Sequence, residues 1–377
     1  MKSIKFHDKE QNKMDQKKRL NNLLEKMKEK NISFFIIGPS DNLRSLLGFS
    51  PGSCERFQAL IIKNTGELLY ISPQIYYEEI NEILPANKIY MWKDREGHKS
   101  LIKEIIRSHN LADSKIAVDS SISATHLIDI SKIANFNFCN GTELIEELRI
   151  IKNKEERNLL QRSAEFADLI MEKTIDFIEP GIKENDIKRF IENEINNFNL
   201  DGLAFSPIIA SGENSSKPHY NKYNRKIKQN DIVILDLGVK YKGYCSDISR
   251  TIFIGGITSK EEEVYNIVKK ANQAAKKVAK PGIKAKKIDD AARNVIENAG
   301  YGEFFLNRTG HGIGISVHEP PYIKGNNDLE MQKGMSFSIE PGIYLPNSFG
   351  IRIEDIVLIT EQGIEVLNNV NRDIIIK

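Results

Sequence analysis

The stretch Ile232 to Ser249, IVILDLGVKYKGYCSDIS, constrains the fold more than any other part of the chain. It reads as two apolar β-strands around a Gly-containing turn, yet it carries two carboxylates where a buried strand pair should have none. Taking the turn across Lys240 and Gly243 sets Asp236 opposite Asp247 on one face. Like charges opposed across a strand pair resist pairing, and carboxylates among Ile, Val and Leu lose hydration. A bound cation compensates both penalties. Taken alone, the pair also fits surface acids at hairpin ends, so the reading depends on the rest of the chain.

The pattern recurs further on. SFSIEPGIYL and GIRIEDIVLI flank the turn-forming segment Pro346-Asn347-Ser348, and a turn centred on Asn347 places Glu340 opposite Glu354. Pro341-Gly342 is a site where a bulge would shift that register. A faint internal repeat accompanies the two hairpins. FIEPGIKENDIKRFIENEI at 177–195 resembles VAKPGIKAKKIDDAARNVI at 278–296, and DIVILDLG at 231–238 resembles MSFSIEPG at 335–342, so that Asp236 falls on Glu340. Two related α+β halves around a pseudo-twofold axis are expected.

Four buried carboxylates do not stay ionised together without counter-charge, and two divalent cations would supply it. Between the hairpins lies TGHGIGISVHE, Thr309 to Glu319, where glycines on both sides of His311 let the backbone approach a shared centre. His311 is the natural imidazole ligand. An oxygen-rich set with one imidazole suits Mn2+ or Co2+, with Zn2+ also open. Two such ions about 3.5–4 Å apart support hydrolytic chemistry on a carbonyl.

The remainder sets the frame. With 377 residues, the chain is long enough for two packed domains. Lys+Arg at 54 against Asp+Glu at 52 is too balanced to attract nucleic acid or a membrane surface. The N-terminal MKSIKFHDKEQNKMDQKKR lacks the apolar core of a signal peptide, and no apolar run is long enough to span a membrane. Cys54, Cys139 and Cys245 are far apart and lack CxxC spacing, which favours a reducing, cytoplasmic setting.

Leu20, Leu23, Leu24 and Met27 mark an amphipathic helix within residues 12–31. Strands are expected at 33–37, 59–63, 68–72 and 115–119, with helices near 99–110 and 122–133, giving a small α/β domain. His7, His98, His109 and His126 have no carboxylates at ligand spacing and read as surface or packing histidines. A long amphipathic helix follows LRIIKNKEE at 148–156, so the division falls at 145–152, giving domains 1–150 and 151–377.

The order Asp236, Asp247, His311, Glu340, Glu354, with KPHY at 217–220, HGIGISVHEPP at 311–321 and GIRIED at 350–355, resembles the metallopeptidases of the pita-bread fold. Within them it is most similar to the Xaa-Pro peptidases, prolidase and aminopeptidase P, over nearly the whole chain. The resemblance implies a creatinase-like N-terminal α/β domain ahead of a pseudo-twofold pita-bread catalytic domain. It implies that Asp247 and Glu354 bridge two metals, that Asp236 holds one, and that His311 with Glu340 hold the other. Glu340 would also handle the nucleophile's proton, while His219 and His318 would steady the scissile carbonyl oxygen and the tetrahedral intermediate. Arg352, on the strand face of Glu354, would pair with site carboxylates or substrate.

The implied activity is hydrolysis of the bond between an N-terminal residue and proline in a short peptide, by a homodimer. A dipeptidase needs a cation for the substrate's free carboxylate, and Lys217, Arg308 and Lys324 are the available clamps. An aminopeptidase leaves that side open. The chain departs from many Xaa-Pro peptidases in having Asn307 where they carry a histidine four residues before the ligand histidine, and asparagine does not titrate. Another creatinase-like C–N hydrolase and a noncatalytic binding module are the remaining alternatives. Retention of all five ligands argues against both.

Overall fold

The computed structural model describes residues 2–377, with side chains described from Met14 onward. The side chain of His7, read above as an ordinary histidine, lies outside the described residues. The chain divides into two compact units, Met1–Arg149 and Ile150–Lys377.

In the first unit the opening helix runs over Lys2–Glu29 and turns one face inward, with Leu23 and Met27 fully buried. The four expected strands form at Phe34–Ile37, Ala59–Lys63, Leu68–Pro73 and Lys115–Val118. Two short strands that sequence reasoning passed over, Ile89–Trp92 and Asn137–Asn140, flank them and complete a mixed six-stranded sheet. Both added strands are only partly buried, so they lack the continuous apolar run that marked the others. His98 and His126 pack edge to face with each other and around Phe57, while His109 bonds the Tyr90 hydroxyl at 2.9 Å. They are packing residues.

The second unit shows the internal repeat as structure. Helices Lys154–Phe177 and Glu184–Asn197 cover the sheet of strands Ile208–Ser211, Ile232–Leu237 and Ile248–Phe253. Helices Ser259–Val278 and Ala285–Asn298 pack likewise on the sheet containing Gly310–Gly312, Ser336–Ile339 and Asp355–Ile359. The first helix of each pair begins with a reciprocal capping box, Asn153 with Glu156 and Thr258 with Glu261. Each pair is broken by the Pro-Gly dipeptide of the repeat, and the second residue after each dipeptide makes an equivalent antiparallel bridge, Lys183 with Lys226 and Lys284 with Glu330.

The second hairpin keeps one register on both sides of its acids. Gly342 pairs with Arg352 and Ile339 with Asp355, so Glu340 and Glu354 face each other across the gap, and Pro341-Gly342 introduces no shift.

The first hairpin corrects the sequence reading. Tyr241 pairs with Tyr244 around a two-residue turn in which Lys242 and Gly243 have φ of 48° and 83°. Positive φ at both turn residues matches the right-handed twist of the strands, which a turn across Lys240 and Gly243 would not. The register is therefore displaced by two residues, and Asp236 opposes Ser249 rather than Asp247. A displacement of two preserves the face, so the acids remain diagonal neighbours on one side.

Candidate active site

The two hairpins and the His311 segment line a cavity of about 640 Å³ in the second unit. Asp236, Asp247, His311, Glu340 and Glu354 all line it, as do His219, His318 and Arg352. The sequence-predicted site residues are thus brought together in one place.

His311 sits on the strand Gly310–Gly312, pressed between neighbouring strands. A Cβ at Gly310 would lie 1.9 Å from the Ser338 carbonyl oxygen, and one at Gly312 would lie 2.2 Å from that of Pro320. Glycine is required there by close approach. The His311 Nδ1 bonds the Gly312 carbonyl oxygen at 3.1 Å, and since a carbonyl only accepts, Nδ1 carries the proton and Nε2 keeps its lone pair. That Nε2 lies 3.3 Å from Glu340 Oε1 and 3.7 Å from Asp247 Oδ2. Ligand atoms of Asp247, His311 and Glu354 all fall within 4.8 Å of one another.

Arg352 is consumed inside the wall. Its Nη2 donates to Asp236 Oδ2 at 2.6 Å, its Nε to Ser249 Oγ at 2.9 Å, and its Nη1 to the Tyr344 hydroxyl at 2.7 Å and to the Pro218 carbonyl at 3.3 Å. Ser249 in turn donates to Glu354 Oε2 at 2.8 Å. Arg352 therefore pairs with a site carboxylate and also fixes the backbone just before His219, which is itself exposed. His318 stands edge to face with His311, ring centroids 4.3 Å apart. Asn307 Nδ2 reaches the backbone carbonyl of Glu340 at 3.3 Å and its Oε2 at 3.4 Å.

Sequence reasoning missed Tyr344 and Ser249. Strand alternation could have found Tyr344, four residues beyond Glu340 and hence on the same face. No comparable signal marks Ser249, because it becomes visible as a partner only once the first hairpin has its true register. Of the three candidate clamps, Lys217 is held by Asn214 Oδ1 at 3.0 Å, Lys324 is exposed and outside the lining, and Arg308 lines the cavity.

Charge balance tests whether cations fit. Burial, then Glu354 and Asp236, push the Asp247 carboxyl well above its ordinary range. Burial, then Glu340 and Asp236, do the same to Glu354. Burial carries Glu340 up to about 7 against the pull of Arg352, and burial with His318 takes His311 down to about 3. Burial opposes the Arg352 charge, but Tyr344 and Asp236 hold its pKa well above the ordinary guanidinium value. Two guanidinium groups, Arg352 and Arg308, do not neutralise four carboxylates. Asp236 Oδ1, Asp247 Oδ1 and Glu354 Oε1 are buried without a hydrogen-bond partner, a state that costs about 1–3 kcal/mol or more for each such group. A neutral imidazole, orphaned carboxylate oxygens and excess negative charge are what divalent cations complete.

Comparison with known proteins agrees. Residues 158–361 match metallopeptidase family M24, and residues 19–151 match the creatinase/prolidase N-terminal domain. The chain is 38% identical to a dipeptidase from Pyrococcus horikoshii OT3, with a TM-score of 0.89 and coverage of 95% of this chain and 100% of that one. It is 36% identical to a prolidase from Thermococcus sibiricus, with a TM-score of 0.92 over 96% and 99% of the two chains. Dipeptidase PepE from Mycobacterium ulcerans is 31% identical, with a TM-score of 0.89 over 97% and 98%. With a site and fold of this kind, the chain belongs to metallopeptidase family M24 and carries a creatinase/prolidase N-terminal domain.

Proposed function

We propose that this chain is a dinuclear metallopeptidase that hydrolyses the bond between an N-terminal residue and proline, acting on Xaa-Pro dipeptides. The observation that carries the proposal is the convergence of five donors on one cavity, with three carboxylate oxygens left without partners. The dipeptidase and prolidase names of similar structures support the substrate class.

Asp236, Asp247, His311, Glu340 and Glu354 would hold two divalent ions, which when bound polarise a carbonyl and acidify water near neutral pH. Glu340, whose Oε1 lies 3.3 Å from His311 Nε2 at the cavity, is placed to take a proton and return it to the proline nitrogen as the bond breaks. That nitrogen has no hydrogen of its own in the substrate, so the departing amine depends on a delivered proton. His318 is driven toward the neutral form by burial, then by Arg308 and His219, and presents an N–H donor to the carbonyl oxygen alongside His219. Arg352 acts through others, holding Asp236 directly and Glu354 through Ser249.

The metal is Mn2+ or Co2+ in this reading, with Zn2+ the remaining candidate, because the donors are oxygens plus one imidazole and no cysteine lines the cavity among the described residues. Family resemblance extends the reading to a homodimer. The three cysteines, all free, and the absence of any membrane-length apolar helix among the described residues are compatible with a cytoplasmic setting. The test is release of free proline from Xaa-Pro dipeptides by apoprotein, with and without Mn2+, Co2+ or Zn2+. Metal-dependent release, lost in Asp247→Ala, is expected. Silence with every metal from a folded protein would overturn the reading, and cleavage of tripeptides alone would make it an aminopeptidase.

A further inference from the structure

His219 lines the cavity, is exposed and, among the described residues, makes no hydrogen bond or ion pair. A ring without partners is placed by the backbone that carries it, and that backbone is gripped on both sides. Ahead of it, the Pro218 carbonyl accepts from Arg352 Nη1 at 3.3 Å. Behind it, the buried Tyr220 sets its hydroxyl 2.8 Å from Glu184 Oε2 and 3.1 Å from Asn224 Oδ1, and its single proton is drawn to the charged acceptor. Glu184 opens the helix Glu184–Asn197 and is fully buried, although it is a carboxylate. Its Oε2 also accepts from Arg225 N at 3.2 Å, while its Oε1 accepts from Ser211 N at 3.0 Å, Ser211 Oγ at 2.7 Å and Asn214 Nδ2 at 3.4 Å. One carboxylate thus ties both ends and the middle of segment 211–225 together, and its donors offset the hydration lost on burial.

The fold does not demand this acid. In the second half of the repeat, Ala285 stands where Glu184 stands in the first. The backbone contact is the same in both halves, from Glu184 N to the Arg225 carbonyl at 3.0 Å and from Ala285 N to the Leu329 carbonyl at 2.9 Å. Ala285 is equally buried and has no side-chain acceptor. The corresponding segment of that half carries His318 and is pinned by another device. Glu319, the next residue, accepts from Lys152 Nζ at 2.6 Å in an almost fully buried pair, and the His318 ring rests against that of His311. Glu184 itself stays outside the cavity lining. We infer, on the proposed peptidase reading, that Glu184 is a positioning residue for His219: by fixing Tyr220 it holds the histidine toward the scissile carbonyl without touching substrate or metal.

Metal-loaded wild type, Glu184→Gln, Tyr220→Phe, His219→Ala and the double variant Glu184→Gln/His219→Ala are compared on Ala-Pro. Glu184→Gln is expected to lower kcat by roughly 100-fold, the scale for a misplaced catalytic group, with KM little changed. Tyr220→Phe removes the link to His219 while leaving the other Glu184 contacts, and it should lower kcat by roughly 10-fold. It also decides the matter if Glu184→Gln does not fold. The double variant should be no slower than His219→Ala, because one group acts through the other. Losses that multiply, or a fall in bound metal that accounts for the lost rate, would overturn the inference. A second readout needs no turnover: the ring signals of 13C-labelled histidine in protein loaded with diamagnetic Zn2+. Both Glu184→Gln and Tyr220→Phe should shift or broaden the His219 signal, identified by its loss in His219→Ala, while the His311 signal keeps its place. An unmoved His219 signal in both variants would overturn the inference. If no protein cut Ala-Pro, or if His219→Ala cost nothing, the peptidase reading or the role it gives His219 would fail, and the ring signals would still judge Glu184.

Discussion

Glu354 and Asp355 are neighbours on one chain, and both are almost completely buried, at 2% and 0% exposure. Strand alternation sends their side chains to opposite faces. Glu354 meets Asp236, Asp247 and Glu340, and its carboxyl is pushed well above its ordinary range, with one oxygen unpartnered. Asp355 meets Arg250 at 2.8 Å, Arg372 at 2.8 Å and Lys276, and although burial works against its charge, these cations carry it from 3.8 down to about 2. Equal burial thus yields opposite charge states, and the difference lies in counter-charge. On one face the protein supplies its own cations. On the other it leaves the deficit for ions from solution.

The strongest way to break this comparison is to neutralise each residue in turn. Glu354→Gln should lower metal-dependent hydrolysis by roughly 1000-fold or more, because Lewis-acid stabilisation is worth several kcal/mol, while raising the thermal stability of the metal-free protein. Kinetics and melting of the same preparation check both halves, and a metal-free variant that melts earlier would contradict the account of the acid cluster. Asp355→Asn should instead destabilise the C-terminal unit by about 3–5 kcal/mol, since it strands buried cations, and denaturant unfolding reads the loss.

Metal addition sharpens the contrast at a smaller scale. At a free ion concentration 100-fold above Kd, the apoprotein should gain about 2.7 kcal/mol of stability. Asp247→Ala should lose that increment, whereas Asp355→Asn should keep it from a lower baseline. Calorimetric scans with and without Mn2+ distinguish the two.

The mildest test is pH. Glu340 has a folded pKa raised from 4.5 to about 7, so the folded apoprotein binds the extra proton, and stability falls as pH rises through that window, at up to about 1.4 kcal/mol per pH unit for such a group. Bound ions should flatten this slope. Asp355 runs the other way, its contribution being present above 3.8 and lost as pH falls through about 2. An apoprotein whose stability does not decline between pH 5 and 7 would count against four crowded carboxylates.

Much of this was legible in the chain. Apolar runs located the buried strands of both units, alternation placed the acids on one face, and a turn centred on Asn347 fixed the register of the second hairpin. The first hairpin was misread by two residues because the turn depended on Lys242 adopting positive φ, which its residue type does not advertise. Side-chain parity survived that error, and so the same acids were singled out.

The sequence by itself determined which residues carry charge and which face of a strand they occupy, because the period of two is local geometry. Only the tertiary structure decided what each charge meets. Arg250, Lys276 and Arg372 reach Asp355 from other parts of the chain, and Ser249 bridges Arg352 to Glu354. Electrostatic energy depends on distance and burial rather than on order along the chain, so an ion site and a structural ion cluster become distinguishable only once the chain has folded.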